Sequence, residues 1–361
     1  MSWQCGAINN GVAIFPDGKI RPCCRVAAEY SKPIESILDN NRFQDLTLQD
    51  RPSACRVCWE AEDNGYPSPR KHYDLDKFSE TNTIKYLDVR NTNLCNLKCR
   101  YCSPHFSNQI AKEFKIEPAI NTADITHYLD KILSDQIVEI YFAGGEPLIS
   151  RDHHLILTKL VDSELSKTIK LRYNTNFSVL EYKGTDFMSY WDKFKHVSLM
   201  VSLDAAGNEN NFIRSNSSWE EVKSNIEKIL SIKSKNVRLV FTPVISILNI
   251  WFLPELVEFA KQHSIEILPN LLYGPDYLSI SVIPKDLKPL ALEKLKALGT
   301  VIKPSHYKPL EDMLAVDNDI LFGHALQHII LLDKLRDEKL FDLLPFLEHA
   351  KTLILRNYEY E

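Results

Sequence analysis

The sequence predicts an α/β protein whose main body is a partial (β/α)6 barrel of the TIM type. Apolar, β-prone runs recur six times between residues 84 and 271, and amphipathic stretches such as 218–234 and 253–264 lie between them. At 44% hydrophobic and 25% charged residues, the composition is that of a globular protein. Strands alternating with helices indicate a parallel sheet of right-handed βαβ units, and six units rather than eight predict an incomplete barrel.

The first predicted region, residues 1–80, shows little helical or strand periodicity and is irregular. Turn-forming stretches such as "FPDGKIRPCC" (15–24) and "NGYPSPRKH" (64–72) interrupt it. A segment of this kind needs support other than an apolar core, and its cysteines could provide it through a metal site.

The second predicted region, residues 81–275, is the barrel, and the third, residues 276–361, is mainly helical. Pro254 stands where the first turn of a helix accepts proline. The six predicted strands of the barrel are 84–90, 138–145, 169–176, 197–204, 237–244 and 265–271.

Charge and hydropathy narrow the functional classes. The net charge of −5 and the pI near 6.1 argue against broad binding to nucleic acid. The N-terminus lacks the pattern of a signal peptide, and the longest apolar stretch (237–260) is interrupted by prolines and polar residues. We therefore expect a cytoplasmic protein with neither nucleic acid nor membrane as a partner.

The eight cysteines form three groups, and none follows Cys102. In a reducing compartment, clustered cysteines are metal ligands or catalytic groups more often than disulfides. The groups are Cys5 with Cys23 and Cys24, then Cys55 with Cys58, then Cys95 with Cys99 and Cys102.

The third group has the spacing Cys-x3-Cys-x2-Cys, directly after the first predicted barrel strand. Three thiolates in one compact loop can bind three corners of a cubane iron–sulfur cluster and leave the fourth iron open. A zinc site completed by His105 or by a distant residue is the alternative. We expect His105 to be a polar loop residue outside the ligand set.

This arrangement resembles the radical S-adenosylmethionine (SAM) superfamily, in which a CxxxCxxC loop binds a [4Fe–4S] cluster whose open iron takes SAM. The resemblance covers roughly residues 83–275 and implies Cys95, Cys99 and Cys102 as ligands. It also implies that Tyr101 packs near the adenine. "AGGEP" at 143–147 matches the SAM-binding turn.

Within that turn, Gly144 and Gly145 permit close backbone approach, and Glu146 offers a carboxylate to the amino group and sulfonium of SAM. The resemblance further implies that Asn176 contacts the ribose and that Arg214 pairs with the SAM carboxylate. Ser202 and Asp204, at the end of the fourth strand, complete the implied cofactor-binding set.

The N-terminal cysteines resemble a twitch module, a short form of the SPASM extension that binds an auxiliary [4Fe–4S] cluster. The resemblance implies Cys5, Cys23, Cys55 and Cys58 as ligands, with Cys24 spare and the module preceding the barrel. A four-cysteine zinc knuckle and a ligand set with Cys24 in place of Cys23 remain open. Residues 331–348 resemble the closing helix of a subgroup of radical SAM proteins with an N-terminal twitch module.

The resemblance implies reductive cleavage of SAM to a 5′-deoxyadenosyl radical that takes hydrogen from a substrate C–H bond. We expect a two-electron oxidation, with the auxiliary cluster accepting an electron. The expected partners are a peptide or small-metabolite substrate and a reductant of the flavodoxin or ferredoxin type. The alternatives are a redox-neutral epimerase with Cys24 as hydrogen donor, and a non-enzymatic zinc or iron–sulfur protein.

Four further histidines receive structural interpretations. His153 and His154 are expected in the solvated first turn of a helix, and His324 and His328 as core or surface residues of another.

Overall fold

The computed structural model describes residues 5–47, 49–73, 83–232 and 234–344. The strands are β1 Gly11–Ile14, β2 Lys19–Arg21, β3 Lys32–Pro33, β4 Tyr86–Val89, β5 Lys98–Cys99, β6 Glu139–Phe142, β7 Lys170–Thr175, β8 Glu181–Tyr182, β9 Thr185–Asp186, β10 His196–Val201, β11 Arg214–Ser215, β12 Val237–Phe241, β13 Val244–Ile245, β14 Glu266–Ile267 and β15 Asn270–Leu271.

The helices vary from a single turn to four turns. They are α1 Gly6–Asn10, α2 Gln44–Thr47, α3 Arg56–Asp63, α4 Asn108–Glu113, α5 Thr126–Ile132, α6 Arg151–Asp162, α7 Phe187–Trp191, α8 Asn208–Ile213, α9 Trp219–Ile232, α10 Leu253–Gln262, α11 Lys288–Gly299, α12 Pro304–Ala315, α13 Phe322–Arg336 and α14 Leu340–Leu343.

The chain divides into two compact units. The first comprises residues 1–96, 103–201 and 221–240, and the second comprises residues 97–102, 202–220 and 241–361. Cys95 belongs to the first unit, and Cys99 and Cys102 belong to the second. The predicted domain boundaries at residues 80 and 275 stay a prediction.

The first unit is built on a largely parallel sheet in the order β12-β10-β7-β6-β4-β1-β2-β3. β4, β6, β7 and β10 are parallel neighbours, and so are β1 and β4. All six predicted barrel strands are present, each shorter than its apolar run. The predicted α/β class is confirmed.

The two faces of this sheet differ in chemistry, because side chains alternate along each strand. One face carries Leu87, Ile140, Phe142, Leu171, Tyr173 and Leu199, all nearly inaccessible to solvent, and α6 packs on it through His153. The other face, here called the polar face, carries the aligned side chains of Tyr86, Asp88, Glu139, Tyr141, Lys170, Arg172, Asn174 and Ser198.

The N-terminal segment is more regular than predicted. β1 pairs in parallel with β4, and the antiparallel strands β2 and β3 continue from it. These strands have two to four residues, too few for an alternating pattern to be recognised in the sequence. An apolar cluster that includes Ala7, Ile8, Trp59 and Tyr86 packs beneath them.

The second unit is mainly helical, as predicted for its C-terminal part. Pro254 lies in the first turn of α10, where the missing amide hydrogen costs no helical bond. α11, α12 and α13 follow, and α13 ends at Asp337 in a left-handed conformation. Residues 345–348 of the predicted closing helix lie outside the described residues. Among the helices described, none combines the length and apolar composition required to cross a membrane.

Candidate functional site

Cys95 is held by the first unit through a network of two asparagines. Its backbone N–H donates to Asn108 Oδ1 at 2.7 Å, and the Asn108 N–H donates to the Asn93 carbonyl at 2.9 Å. Both asparagines are buried, at 2% exposure each. The sequence contains these residues beside the cysteines, but nothing in their spacing marked them as supports of the loop.

The predicted SAM-binding turn packs on the segment that leads to Cys95. Gly144 has φ +102°, a conformation that favours glycine, and a Cβ on Gly145 would lie 2.2 Å from the Leu94 carbonyl oxygen. The Gly145 N–H donates to the Thr92 carbonyl, and the Glu146 N–H to that of Leu94. The close approach that the glycines permit is therefore made to the chain's own cysteine loop.

Glu146 and Asn176 are engaged by the first unit itself. The buried Glu146 carboxylate accepts hydrogen bonds from Thr175 Oγ1 and the backbone N–H groups of Leu148 and Asn176, at 2.7 to 3.1 Å. The Asn176 amide donates to Asn96 Oδ1 at 2.8 Å. Both residues thus shape the ends of β6 and β7, and their contacts with SAM stay a prediction.

In the second unit, the half-buried Tyr101 forms one group with the buried residues Asp204, Arg214 and Cys99. The Tyr101 hydroxyl donates to Asp204 Oδ2 at 2.6 Å, and Arg214 Nε lies 2.8 Å from the same oxygen. Arg214 Nη1 lies 3.7 Å from Cys99 Sγ. Burial would lower the pKa of Arg214, but the Asp204 carboxylate raises it above its usual range. Ser202 is half-buried at the end of β10.

The last helices of the second unit hold the loop that carries Cys99 and Cys102. Arg100 is fully buried, and its Nη2 contacts Asp333 Oδ1 at 2.5 Å and Glu338 Oε2 at 2.6 Å. His328 lies within 2.8 Å of the Arg100 carbonyl, and Arg336 donates to the Lys98 carbonyl at 2.8 Å. The sequence offered no signal for these contacts, because the partners are more than 220 positions apart.

The four cysteines predicted as auxiliary ligands line one cavity of the first unit. Cys5, Cys23, Cys55 and Cys58 line it together with residues that include Ile8, Val26, Arg70 and Tyr73. Burial raises the pKa of Cys5 to about 11 and that of Cys55 to about 12. These thiols are neutral at pH 7 without a cation, so any metal that binds them must displace protons.

Cys24 does not belong to the residues that line this cavity. Burial raises the pKa of the half-buried Cys24 thiol, and the charges that act on it most are those of Arg90, Asp88, Arg25 and Arg172. Cys24 therefore lies outside the lining of this cavity, and its thiol interacts electrostatically with Asp88 and Arg172 of the polar face.

The histidine interpretations need one correction. His153 is not in a solvated turn but is 1% exposed, and its Nε2 lies 2.9 Å from the Tyr173 hydroxyl. α6 contacts the sheet through the side of its first turn that carries His153, so this side is covered. His154 is partly buried, and His105 is exposed against the ring of Phe106.

Residues 90–260 match the family model described as "Radical SAM superfamily". The chain carries a radical SAM domain. Such a domain implies a SAM-binding [4Fe–4S] cluster and SAM itself as cofactors.

The radical SAM domain is similar to curated proteins over about half of this chain. Molybdenum cofactor biosynthesis protein 1 of Dictyostelium discoideum is 26% identical over 55% of this chain and 30% of its own length. The GTP 3′,8-cyclase of Helicobacter pylori is 26% identical over 54% of this chain and 56% of its own. The chain therefore spans about a third to just over half of these two relatives.

A crystal structure of Streptococcus suis SuiB bound to S-adenosylmethionine is also similar. Its TM-score is 0.40 at 17% identity, and the match covers 74% of this chain and 58% of SuiB.

The donor chemistry of the cysteines fits iron–sulfur clusters. The trio offers three thiolates on one loop of the radical SAM domain, and the N-terminal cavity offers four. No three Cys, His, Asp or Glu side chains in the described part of the chain stand in the arrangement of a site for a single metal ion.

Proposed function

We propose that this protein is an enzyme that reductively cleaves SAM and uses the resulting radical to abstract hydrogen from a substrate C–H bond. The proposal further assigns a net two-electron oxidation. The observation that carries it is the cavity lined by Cys5, Cys23, Cys55 and Cys58 in a chain that also has a radical SAM domain.

Cys95, Cys99 and Cys102 would hold the first cluster, which would supply the electron for cleavage of the SAM sulfonium to methionine and a 5′-deoxyadenosyl radical. The chain's own part is to position and charge-stabilise the ligands. Arg214 brings positive charge to within 3.7 Å of Cys99 Sγ, which favours the thiolate. Asp204 fixes the Arg214 side chain from the other side.

The four cavity cysteines would hold the auxiliary cluster, which would supply an acceptor for one electron. The substrate would then lose a hydrogen atom to the 5′-deoxyadenosyl radical, one electron to this acceptor and one proton to solvent, which is a net two-electron oxidation. Cys5, Cys55 and Cys58 are each less than 9% exposed, which excludes water from such a group. With four thiolates there is no open iron, which favours electron transfer over substrate binding.

The test is an anaerobic iron, sulfide and 5′-deoxyadenosine analysis of cysteine-to-serine variants. The wild type should hold about eight irons per chain, and both Cys23→Ser and Cys99→Ser about four, by the count for two cubanes. Cys24→Ser is the matched control and should keep about eight. Only Cys99→Ser should lose SAM cleavage completely. Zinc in place of iron, without SAM cleavage, would overturn the proposal.

A redox-neutral epimerase is the second candidate, and the position of Cys24 favours it. A thiol near the polar face but outside the ligand cavity is suited to return a hydrogen atom to a substrate radical. Turnover in deuterated solvent separates the two: deuterium at the reacting carbon without net oxidation, lost in Cys24→Ser, supports epimerisation.

The substrate is proposed to be a peptide or small metabolite, and the electron source a flavodoxin- or ferredoxin-type reductant. The similarity to a GTP 3′,8-cyclase supports adding GTP to the assayed substrates.

A further inference from the structure

The polar face of the first unit is unusual for a parallel sheet, because such strands are normally apolar on both faces. One row of side chains in register crosses four strands and consists of Asp88, Tyr141, Arg172 and Ser198. Asn174 lies two residues further along β7. Charged side chains are rarely enclosed unless they are paired or bind a ligand.

Arg172 lies at the centre of this face, and its side chain is only 20% exposed. Its Nη2 donates to the Tyr86 hydroxyl at 2.8 Å, and its guanidinium carbon lies 4.3 Å from the centre of the Tyr141 ring. Nε is 3.3 Å from Glu139 Oε1, which also lies 3.4 Å from His72 Nε2. The negative charge nearest to Arg172 is therefore the Glu139 carboxylate, which His72 also contacts.

Arg90 approaches the same ring from the end of β4. Its guanidinium carbon is 5.6 Å from the Tyr141 ring centre. Its Nε and Nη2 donate to Oδ1 and Oδ2 of Asp88 at 2.9 and 2.7 Å. A Cβ on Gly144 would lie 3.0 Å from Arg90 Cβ, so this arginine adjoins the predicted SAM-binding turn. A molecule held by Arg90 and Arg172 would lie beside that turn.

Positive charge exceeds negative charge around this face. On this face and at its edge, Arg90, Arg172 and Lys170 lie among Asp88 and Glu139, which makes three cations against two carboxylates. Asn174 Oδ1 is buried and accepts no hydrogen bond within the described residues. An acceptor buried in this way indicates a missing donor.

We propose that the polar face binds an anionic group of the substrate, a carboxylate or a phosphate, through Arg172 and Arg90, while Asn174 accepts a hydrogen bond from the same molecule. The excess of positive charge complements an anion. The planar guanidinium groups of the two arginines suit a carboxylate and a phosphate equally. Calling the bound molecule a substrate rests on the proposed function. The anion site itself does not.

Cys24 provides a reporter for the site, because the other seven cysteines are the proposed cluster ligands. The reconstituted protein, kept anaerobic with saturating SAM, is treated with N-ethylmaleimide, and modification of Cys24 is followed by mass spectrometry. Inorganic pyrophosphate and succinate are the two anionic probes, and succinamide is the neutral counterpart of succinate.

At least one anion should slow the alkylation of Cys24 several-fold, and succinamide should not. Protection by pyrophosphate alone assigns a phosphate, and protection by succinate alone assigns a carboxylate. The protection should disappear in Arg172→Gln and in Arg90→Gln. It should persist in part in Arg172→Lys and fully in Arg151→Gln, an exposed control on α6. Iron content verifies that each variant is folded.

The proposal is overturned if neither anion protects Cys24, or if protection in Arg172→Gln equals that of the wild type. Protection that appears only without SAM also overturns it, because the two arginines would then bind the carboxylate of SAM. Alkylation requires no turnover, and 5′-deoxyadenosine formation is measured separately. Failure of the anion site and failure of the proposed enzymatic function are thus distinguishable.

Discussion

Asp204 shows how one buried carboxylate can hold several groups of a candidate site in place. Its carboxylate is fully buried and satisfies Arg214, Tyr101 and the Val244 backbone N–H, the last at 2.8 Å. An ion pair of this kind is costly to break, because removal of one partner leaves the other charge buried.

Asp204→Asn should therefore lower the free energy of unfolding by about 3–5 kcal/mol. Tyr101→Phe removes a hydrogen bond to the same carboxylate without leaving a charge unpaired, and should cost only about 1 kcal/mol. Anaerobic urea unfolding measures both. Equal losses in the two variants would mean that the buried charge is not the dominant factor.

His153 should make the stability of the protein depend on pH. Burial lowers its pKa from 6.5 to about 3, so the folded state keeps it neutral while the unfolded chain takes up a proton below pH 6.5. The stability that it contributes is complete above pH 6.5 and is lost as the pH falls, by about 2 kcal/mol between pH 7 and pH 5. His153→Gln should remove this part of the dependence. The urea midpoint at the two pH values measures it, and His127→Gln, exposed on α5, should behave as the wild type.

At the scale of elements, a turn and a helix position the cysteine loop. The turn at 143–147 packs on residues 90–94 through its two glycines, and α13 with residue 338 contacts residues 98–100. Each cysteine therefore depends on elements that supply no ligand.

Gly145→Ala should move the turn away from the loop, because the new methyl group would lie 2.2 Å from the Leu94 carbonyl oxygen. We expect a loss of about 1–3 kcal/mol, as for overpacked sites, together with reduced SAM cleavage. Thermal unfolding and 5′-deoxyadenosine formation measure the two effects. Gly274→Ala, where a Cβ meets no atom within 4 Å, is the control. A Gly145→Ala variant as stable and active as this control would contradict the packing argument.

Loss of both carboxylates around Arg100, in an Asp333→Asn, Glu338→Gln double variant, should cost about 3–5 kcal/mol, because Arg100 is fully buried. The iron content should fall toward four per chain, because only the loop with Cys99 and Cys102 is released. Asp312→Asn, on the exposed i,i+4 pair with Lys308, should cost less than about 1 kcal/mol. Unchanged iron in the double variant would restrict Arg100 to a role in folding.

At the scale of the whole molecule, the N-terminal segment is attached in two ways. β1 is a strand of the parallel sheet, whereas the segments around Cys23 and Cys55 line the cavity that contains the four cysteine side chains. The first attachment depends on backbone hydrogen bonds. The second is expected to depend on the metal group that the four cysteine thiols bind.

Removal of iron by an anaerobic chelator should therefore loosen only part of this segment. Amides at 23–26 and 55–58 should exchange about tenfold faster, a local loss of about 1.4 kcal/mol, while those of β1 keep their protection. Hydrogen–deuterium exchange with mass spectrometry measures this, and β10 of the same unit is the internal reference. Uniform exchange across the whole unit would show that the cavity and the sheet unfold together.

The sequence by itself determined the features that local pattern encodes. The alternation of strand and helix, the first-turn proline of α10 and the glycines of the 143–147 turn are written in neighbouring residues, because periodicity, backbone conformation and spacing are local properties. The grouping of the cysteines is also visible in their spacing, whereas the choice of Cys23 over Cys24 as a ligand stays a prediction.

Only the tertiary structure decided which distant side chains meet. The pairing of β1 with β4, the burial of His153, the contact of Arg100 with Asp333 and the approach of two arginines to the Tyr141 ring join positions far apart in the chain. Such contacts depend on strand register and helix packing, which no local pattern encodes. The polar face is the clearest case. In the sequence, each of its charged residues resembles an ordinary surface residue. Only the alignment of four strands makes them candidates for binding a ligand.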